Sequence, residues 1–159
     1  MTKPLEFRRR AAFRLVGDVQ IIGARIMELR KRIPAKQLPH AIVDDARDPA
    51  SPFHRNFEWD DSVAAHEHRL EQARLLIRSV NIVIIGAGGH KVETRAFEFV
   101  TMGEGDGYTS IIDILSDKEL YADLLERAKK ELGHFIRRYD ELAELNGVIR
   151  AARKLLRDQ

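Results

Sequence analysis

Apolar side chains near the start of the chain recur at alternating spacings of four and three residues, from Leu15 to Ile33. This period puts them on one stripe and predicts a helix from Ala11 to Arg32. A short second helix is expected to begin at Pro39, because proline suits the first helical turn, and a third helix to run from Asp61 to Ser79. The first half of the chain is therefore expected to be helical.

A loop rich in proline and aromatic residues separates the second predicted helix from the third. It contains Phe53, Phe57 and Trp59 shortly after two prolines. Aromatic residues of this density near prolines usually anchor a loop on the core, so we expect their rings to be buried.

At Val80 the pattern changes to a run of β-branched residues, which predicts a strand from Val80 to Ile85. Alternation predicts a second strand from Thr94 to Met102, and a glycine-rich turn leads to a third from Tyr108 to Leu115. Together they would form an antiparallel sheet with one face covered by helices. The sequence Gly86-Ala-Gly-Gly is similar to a dinucleotide-binding turn. A dinucleotide-binding turn is followed directly by a helix, whereas the pattern here predicts a strand from Thr94. We therefore favour a plain hairpin turn.

A second apolar seam runs from Tyr121 to Leu156, again at spacings of four and three. One continuous helix of this length would span about 60 Å, too long to pack fully on a domain of this size. Either a partner subunit covers it or it folds back, and Asn146-Gly147 is compatible with both outcomes. We expect oligomerisation through five residues of this seam, which are Leu132, Phe135, Tyr139, Leu142 and Ile149.

These patterns predict an α+β fold with N-terminal helices, a three-stranded antiparallel sheet and a long C-terminal amphipathic helix. The expected division is a mixed domain over residues 1–116, for which a winged helix is one arrangement, and an oligomerisation segment over 117–159. The chain has 159 residues, of which 44% are hydrophobic, and this is enough for a core without metals or disulfides.

The absence of cysteine excludes disulfides, thiolate metal sites and a cysteine nucleophile. No stretch approaches the roughly 18 apolar residues of a membrane span, and the start of the chain has no apolar signal core. We expect a cytoplasmic protein with no membrane partner.

Positive charge is concentrated at the N-terminus, where residues 1–32 hold nine Lys/Arg against three Asp/Glu. Such a segment can bind phosphate, although it can equally be a solvated helix face. Three helices followed by a hairpin are similar to a winged helix-turn-helix, whose third helix enters the major groove. The long connection before that helix and the acidic hairpin argue against it. The candidate phosphate contacts are Arg8, Arg9, Arg10 and Arg14, and the candidate groove readers are Arg69, Arg74 and Arg78.

His54, Glu58 and Asp61 are the best candidates for a metal site among a cluster of imidazoles and carboxylates. The spacing argues against a metal, because His66 and His68 would point to different helix faces. No nucleophile elbow or Walker loop is present, so we expect no cofactor and no enzymatic activity.

The stretch Asp48-Pro-Ala-Ser-Pro-Phe-His-Arg-Asn-Phe-Glu-Trp-Asp-Asp-Ser-Val-Ala-Ala resembles a family of small phage and prophage proteins. That family carries a Ser-Pro-(Phe/Leu)-His motif followed by Phe-Glu-Trp-Asp-Asp. The resemblance continues through Arg69-Leu-Glu-Gln-Ala-Arg-Leu-Leu-Ile-Arg78 and Phe135-Ile-Arg-Arg-Tyr139, and covers roughly Ile33 to Ile149. It implies a phage setting and supplies no catalytic residues.

The sequence thus predicts a phage-encoded or phage-like accessory or regulatory protein that forms homo-oligomers and binds nucleic acid, with duplex DNA as the expected partner. A self-assembling structural or adaptor protein without a nucleic-acid role is the first alternative. A metal-dependent hydrolase is the second.

Overall fold

The computed structural model describes residues 5–59, 65–102 and 105–157. Its elements follow in the order β1 (Glu6–Arg9), α1 (Val19–Arg32), α2 (Leu38–Ala46), α3 (Ala65–Arg78), β2 (Val80–Ile85), β3 (Lys91–Arg95), β4 (Phe97–Met102), β5 (Gly105–Ser110), α4 (Ile111–Ser116), α5 (Lys118–Tyr139) and α6 (Asn146–Arg157). Short 3₁₀ turns lie at Ala35–Gln37, His54–Asn56 and Ala143–Leu145. The chain divides into two compact units, Met1–Asp113 and Ile114–Gln159. The predicted α+β class is confirmed.

The first helix begins eight residues later than predicted, at Val19. Gly17 has a φ of 108°, a left-handed conformation that favours glycine and interrupts a helix. The Asp18 carboxylate then accepts a hydrogen bond from Gln20 N at 2.8 Å and caps the new helix. The prediction that the helix starts at Ala11 is therefore wrong, because residues with apolar spacing precede a glycine that the helix cannot include.

The N-terminal segment instead supplies a strand that the sequence pattern did not predict. β1 pairs antiparallel with β2, with Phe7 opposite Ile82, and β2 pairs antiparallel with β3. The strand order is β1-β2-β3. Phe7 is buried against Gly23 of α1, and Phe7 N donates to the Gln20 side chain. The three-stranded antiparallel sheet is confirmed, but its members differ from those predicted.

The predicted second strand is in fact two strands, which change sheet at Ala96. Ala96 N donates to Val80 O at 3.0 Å in the first sheet, and Ala96 O accepts from Ile111 N at 2.9 Å. β4 and β5 then form their own antiparallel pair, with Phe99 opposite Tyr108. The predicted third strand stops at Ser110, whose hydroxyl accepts from Ile112 N at 3.2 Å and so caps α4.

The turn between β2 and β3 is a hairpin turn, as predicted. Gly86 N donates to His90 O and Gly89 N to Gly86 O, both at 2.9 Å. Gly89 has a φ of 74°, which requires glycine-like freedom. No helix follows this turn, since β3 begins at Lys91.

The second unit is built around a helical hairpin, so the fold-back alternative for the C-terminal seam is the one found. Asp117 caps α5 by accepting from Glu119 N and Leu120 N at 2.9 and 3.0 Å. The helix ends at Tyr139, and α6 starts at Asn146. The reversal therefore comes before Asn146-Gly147, which forms the first turn of α6. Among the described helices, none has the length and apolar content that a membrane span requires.

Candidate functional site

The aromatic loop and the segment after β1 are held together by one amide side chain. Asn56 Oδ1 accepts from Val16 N at 2.8 Å, and Asn56 Nδ2 donates to Val16 O at 2.9 Å. These two bonds satisfy both backbone groups of Val16, as a neighbouring strand would. The loop itself is anchored on the core by Phe53 and Phe57, which are buried as predicted, whereas Trp59 is only half-buried.

Arg69 of α3 binds the aromatic loop through contacts with Glu58 and Trp59. Its side chain is 6% exposed, its Nε donates to Glu58 O at 3.1 Å, and its guanidinium lies 5.0 Å from the centre of a Trp59 ring. Trp59 Nε1 in turn donates to His54 O at 3.1 Å. A guanidinium engaged in this way cannot also reach into a DNA groove, so we do not retain Arg69 as a groove reader.

A polar cleft of about 380 Å³ lies where the N-terminal segment, the aromatic loop and α3 meet. Arg14 and Arg55 both line it, as does Gln72. The floor and walls are completed by Val16, Asn56, Phe57, Glu58, Leu75 and Leu76. Both arginines are exposed, and neither forms an ion pair within the part of the chain that the structure describes. The cleft therefore offers two guanidiniums with free hydrogen-bond donors.

The polar groups at the base of this cleft are fixed before any ligand arrives. Gln72 Oε1 accepts from Glu58 N at 3.2 Å, and the Asn56 amide is held by Val16. The cleft thus has two arginines against one carboxylate, Glu58, and this excess of positive charge suits an anionic ligand, whose oxygens accept hydrogen bonds.

Arg9 and Arg10 lie close to the same end of α3. Arg10 N donates to Ser79 O at 2.9 Å, one residue after the end of α3 at Arg78. The Arg10 guanidinium lies 5.0 Å from the Phe13 ring centre, and Arg9 is exposed. The structure thus brings three of the predicted phosphate contacts, Arg9, Arg10 and Arg14, to the side of the fold where α3 ends.

Arg8 is placed differently, on the outer face of the first sheet. It pairs with Glu6 at 2.8 Å and with Glu93 at 3.3 Å, and Lys91 also lies 3.6 Å from Glu6. The hydrogen bond from Arg8 lowers the pKa of Glu6 and raises that of Arg8 itself. A phosphate at Arg8 would have to compete with two carboxylates that are already in place, so its contribution to polyanion binding is expected to be small.

The two remaining groove candidates differ from each other. Arg74 is paired with Glu71 one turn earlier, whereas Arg78 is exposed and its Nε donates to Arg74 O at 3.2 Å. The solvent face of α3 also carries Glu67. That face is therefore mixed in charge, and positive charge is concentrated at the C-terminal end of the helix.

Two of the three metal candidates, His54 and Glu58, lie in the part of the chain that the structure describes. His54 Nδ1 lies 2.8 Å from Ala46 O, so it carries the proton, and the ring stacks on Trp59 at 5.2 Å. Asp61 lies outside the described residues. Within the described ranges, no three His, Cys, Asp or Glu residues are grouped closely enough to hold a metal ion.

Most of the predicted oligomerisation residues pack within the helical hairpin of α5 and α6. Ile149 is 1% exposed and lies in one cluster with Ile136 and Ala152, against which Leu132 and Phe135 pack. Tyr139 lies 5.1 Å from Phe135, and of the five only Leu142 is substantially exposed. Contact of Ile149 with a partner subunit is therefore excluded while this hairpin is formed.

Sequence reasoning did not select Arg55 or Asn56. Their position between Phe53 and Phe57 could have identified them. A charged or amide side chain between two buried rings is held in a defined place. No protein-family model, no curated protein and no solved structure matches the chain. The resemblance to small phage proteins therefore stays a prediction.

Proposed function

We propose that this chain is a non-enzymatic accessory protein that binds the phosphate backbone of duplex DNA through the cleft beside α3. The observation that carries the proposal is that Arg14 and Arg55 line one cleft although they are far apart in sequence. Arg9, Arg10 and Arg78 extend positive charge around the same end of the helix. Guanidiniums recognise phosphate through paired hydrogen bonds, and each neutralised phosphate releases counterions.

The arrangement favours contact with the backbone over reading of the base sequence. Arg69 is engaged in the fold, Arg74 is paired, and the exposed face of α3 carries carboxylates. Phosphate contacts fix the position of a protein on DNA without specifying sequence. We therefore expect similar affinity for duplexes of different sequence, in a phage-like and cytoplasmic setting.

The test is a fluorescence anisotropy titration with a labelled duplex at ~50 mM salt, repeated as salt is raised. The variant Arg14→Ala/Arg55→Ala should bind more weakly, and its log–log salt slope should be smaller in magnitude by about 2. The matched control is Arg32→Ala/Arg47→Ala, which removes the same charge from two exposed arginines outside the cleft. Equal weakening by both variants, or no binding by the natural chain, would refute the proposal.

A second candidate function is self-association, with or without a role for nucleic acid. It is favoured by exposed apolar residues in the C-terminal unit, where Val148 is 57% exposed and Leu155 is 56% exposed. Large side chains that stay in contact with water on one face often belong to an interface. Molecular mass by light scattering at micromolar concentration tests this candidate independently of DNA. A monomer would remove it.

A further inference from the structure

The apolar stripe of α5 is only half covered by α6. α5 has 22 residues and α6 has 12, which correspond to lengths of about 33 and 18 Å. α6 covers the second half of the stripe, where Ile136 is buried. Tyr121 and Leu125 continue the same stripe toward the start of α5 but are 47% and 40% exposed. About three turns of α5 thus extend beyond the part that α6 covers.

The charges along these helices are segregated. Residues 117–126 hold four carboxylates and one lysine, a net charge of −3, whereas residues 127–139 hold five Lys/Arg and one glutamate, a net charge of +4. α6 holds four Lys/Arg and no carboxylate. Within one chain, α6 therefore packs beside the half of α5 that has its own sign of charge, and the half of opposite sign is the one left uncovered.

α6 also carries a second apolar stripe that its own hairpin does not use. Val148, Ala151 and Leu155 are exposed and follow one another at spacings of three and four. This spacing places them on one face of the helix, beside the face that Ile149 and Ala152 bury against α5. A shallow depression of about 280 Å³ lies at the start of α5 and is lined in part by Leu115 and Tyr121.

We propose that a second copy of the chain covers this surface. α6 of one copy lies on the acidic first half of α5 in the other, with Leu155 against Tyr121 and Leu125, and the contact is repeated by symmetry. Opposite net charges of −3 and +4 favour this pairing, whereas within its own chain α6 lies beside the basic half of α5, although its Arg153 pairs with Asp140 at 2.6 Å. A two-fold arrangement satisfies both copies at once. This inference rests on the self-association proposed above, and it assigns α6 and the first half of α5 as the two surfaces in contact.

Charge reversal tests the pairing in the full-length chain by sedimentation velocity. Asp123→Lys/Glu126→Lys and Arg150→Glu/Lys154→Glu should each weaken the dimer by at least about tenfold in Kd. The chain that carries all four substitutions should recover the dimer, because opposite charges face each other again. Leu155→Gln, at an exposed position that tolerates a polar side chain, should also weaken the dimer without loss of helical circular dichroism. This variant keeps the test valid if a reversed chain misfolds.

Three outcomes separate the possibilities. A natural chain that is monomeric to high micromolar concentration overturns both the self-association and this interface. A dimer that neither Leu155→Gln nor either reversal weakens overturns this interface alone and leaves self-association standing. Loss with each reversal and recovery with the combination supports the interface, and raising the salt concentration should then weaken the natural dimer through charge screening.

Discussion

Gly23 gives the sharpest test of how the N-terminal strand is attached to the fold. A Cβ at this position would lie 2.4, 2.6 and 2.8 Å from Cγ, Cδ1 and Cδ2 of the Phe7 ring. Ordinary carbon contacts are about 3.5–4.0 Å, so the ring must move by about 1 Å in a core where it is only 5% exposed. Glycine at this helix position therefore permits the close approach of β1.

The substitution Gly23→Ala sets two effects of opposite sign against each other. Helix propensity favours alanine by about 1 kcal/mol, whereas overpacking a buried site costs about 1–3 kcal/mol. Because the overlap is with a buried aromatic ring, we expect the upper end of that cost and a net loss of about 2 kcal/mol. In the Phe7→Ala background the obstacle is absent, so Gly23→Ala should stabilise by about 1 kcal/mol. The two sites should thus be coupled by about 3 kcal/mol.

Urea denaturation followed by Trp59 fluorescence measures these differences, because Trp59 is the single tryptophan of the chain. Gly133→Ala in α5 is the matched control, since its Cβ would meet only the end of the Arg137 side chain, at 3.6 Å. It should stabilise the C-terminal helices by about 0.5–1 kcal/mol, as seen by helical circular dichroism. If Gly23→Ala stabilises the natural chain, or if its effect is the same with and without the Phe7 ring, the proposed packing of β1 on α1 is wrong.

Three further predictions concern packing, the aromatic loop and acid. Gly107→Ala should cost about 3 kcal/mol or more in thermal or urea unfolding, because its Cβ would lie 2.2 Å from the Ala35 backbone carbon, which cannot move aside as a side chain can. Arg69→Lys should lower stability by about 1–3 kcal/mol and shift Trp59 emission to the red, since lysine has no planar guanidinium to lie over the indole; unchanged emission would contradict this. The hydrogen bond from Arg25 lowers the pKa of Glu28 in the folded state, so its stabilisation is present above the ordinary value of 4.5 and is lost as pH falls through the lower folded value. Glu28→Gln should therefore make the loss of stability less steep between pH 4.5 and that lower value, and an identical acid limb would contradict this.

Elements whose structure depends on local sequence could be predicted from the hydrophobic pattern and the turn residues. Pro39 lies in the first turn of α2, and the strand from Val80 ends at the glycine turn, both as predicted. In each case the backbone preference and the hydrophobic pattern agree. Such agreement leaves few alternatives for the folded chain.

The errors arose where tertiary contacts decided the outcome. β1 has only four residues, and its pairing with β2 joins positions more than seventy residues apart. The apolar run after Ser110 has no period that distinguishes a buried strand from a short helix. In the structure the Ser110 hydroxyl caps this run, which is helical. The cleft depends on tertiary contact, since the two hydrogen bonds between Asn56 and Val16 hold the segment of Arg14 beside that of Arg55. No pattern within either segment encodes it.

The pairing of β1 with β2 has a consequence during synthesis of the chain. Arg9 leaves the ribosome 71 residues before its partner Val80, which at about 5–20 residues per second is a delay of about 4–14 s. Until then Phe7 has no strand beside it, and its apolar ring is open to other nascent chains or to chaperones. The helical hairpin at the other end has only neighbouring segments to join, so it can form as soon as it emerges. Translation speed ahead of Val80 should therefore affect the yield of folded protein more than translation speed through α5 and α6.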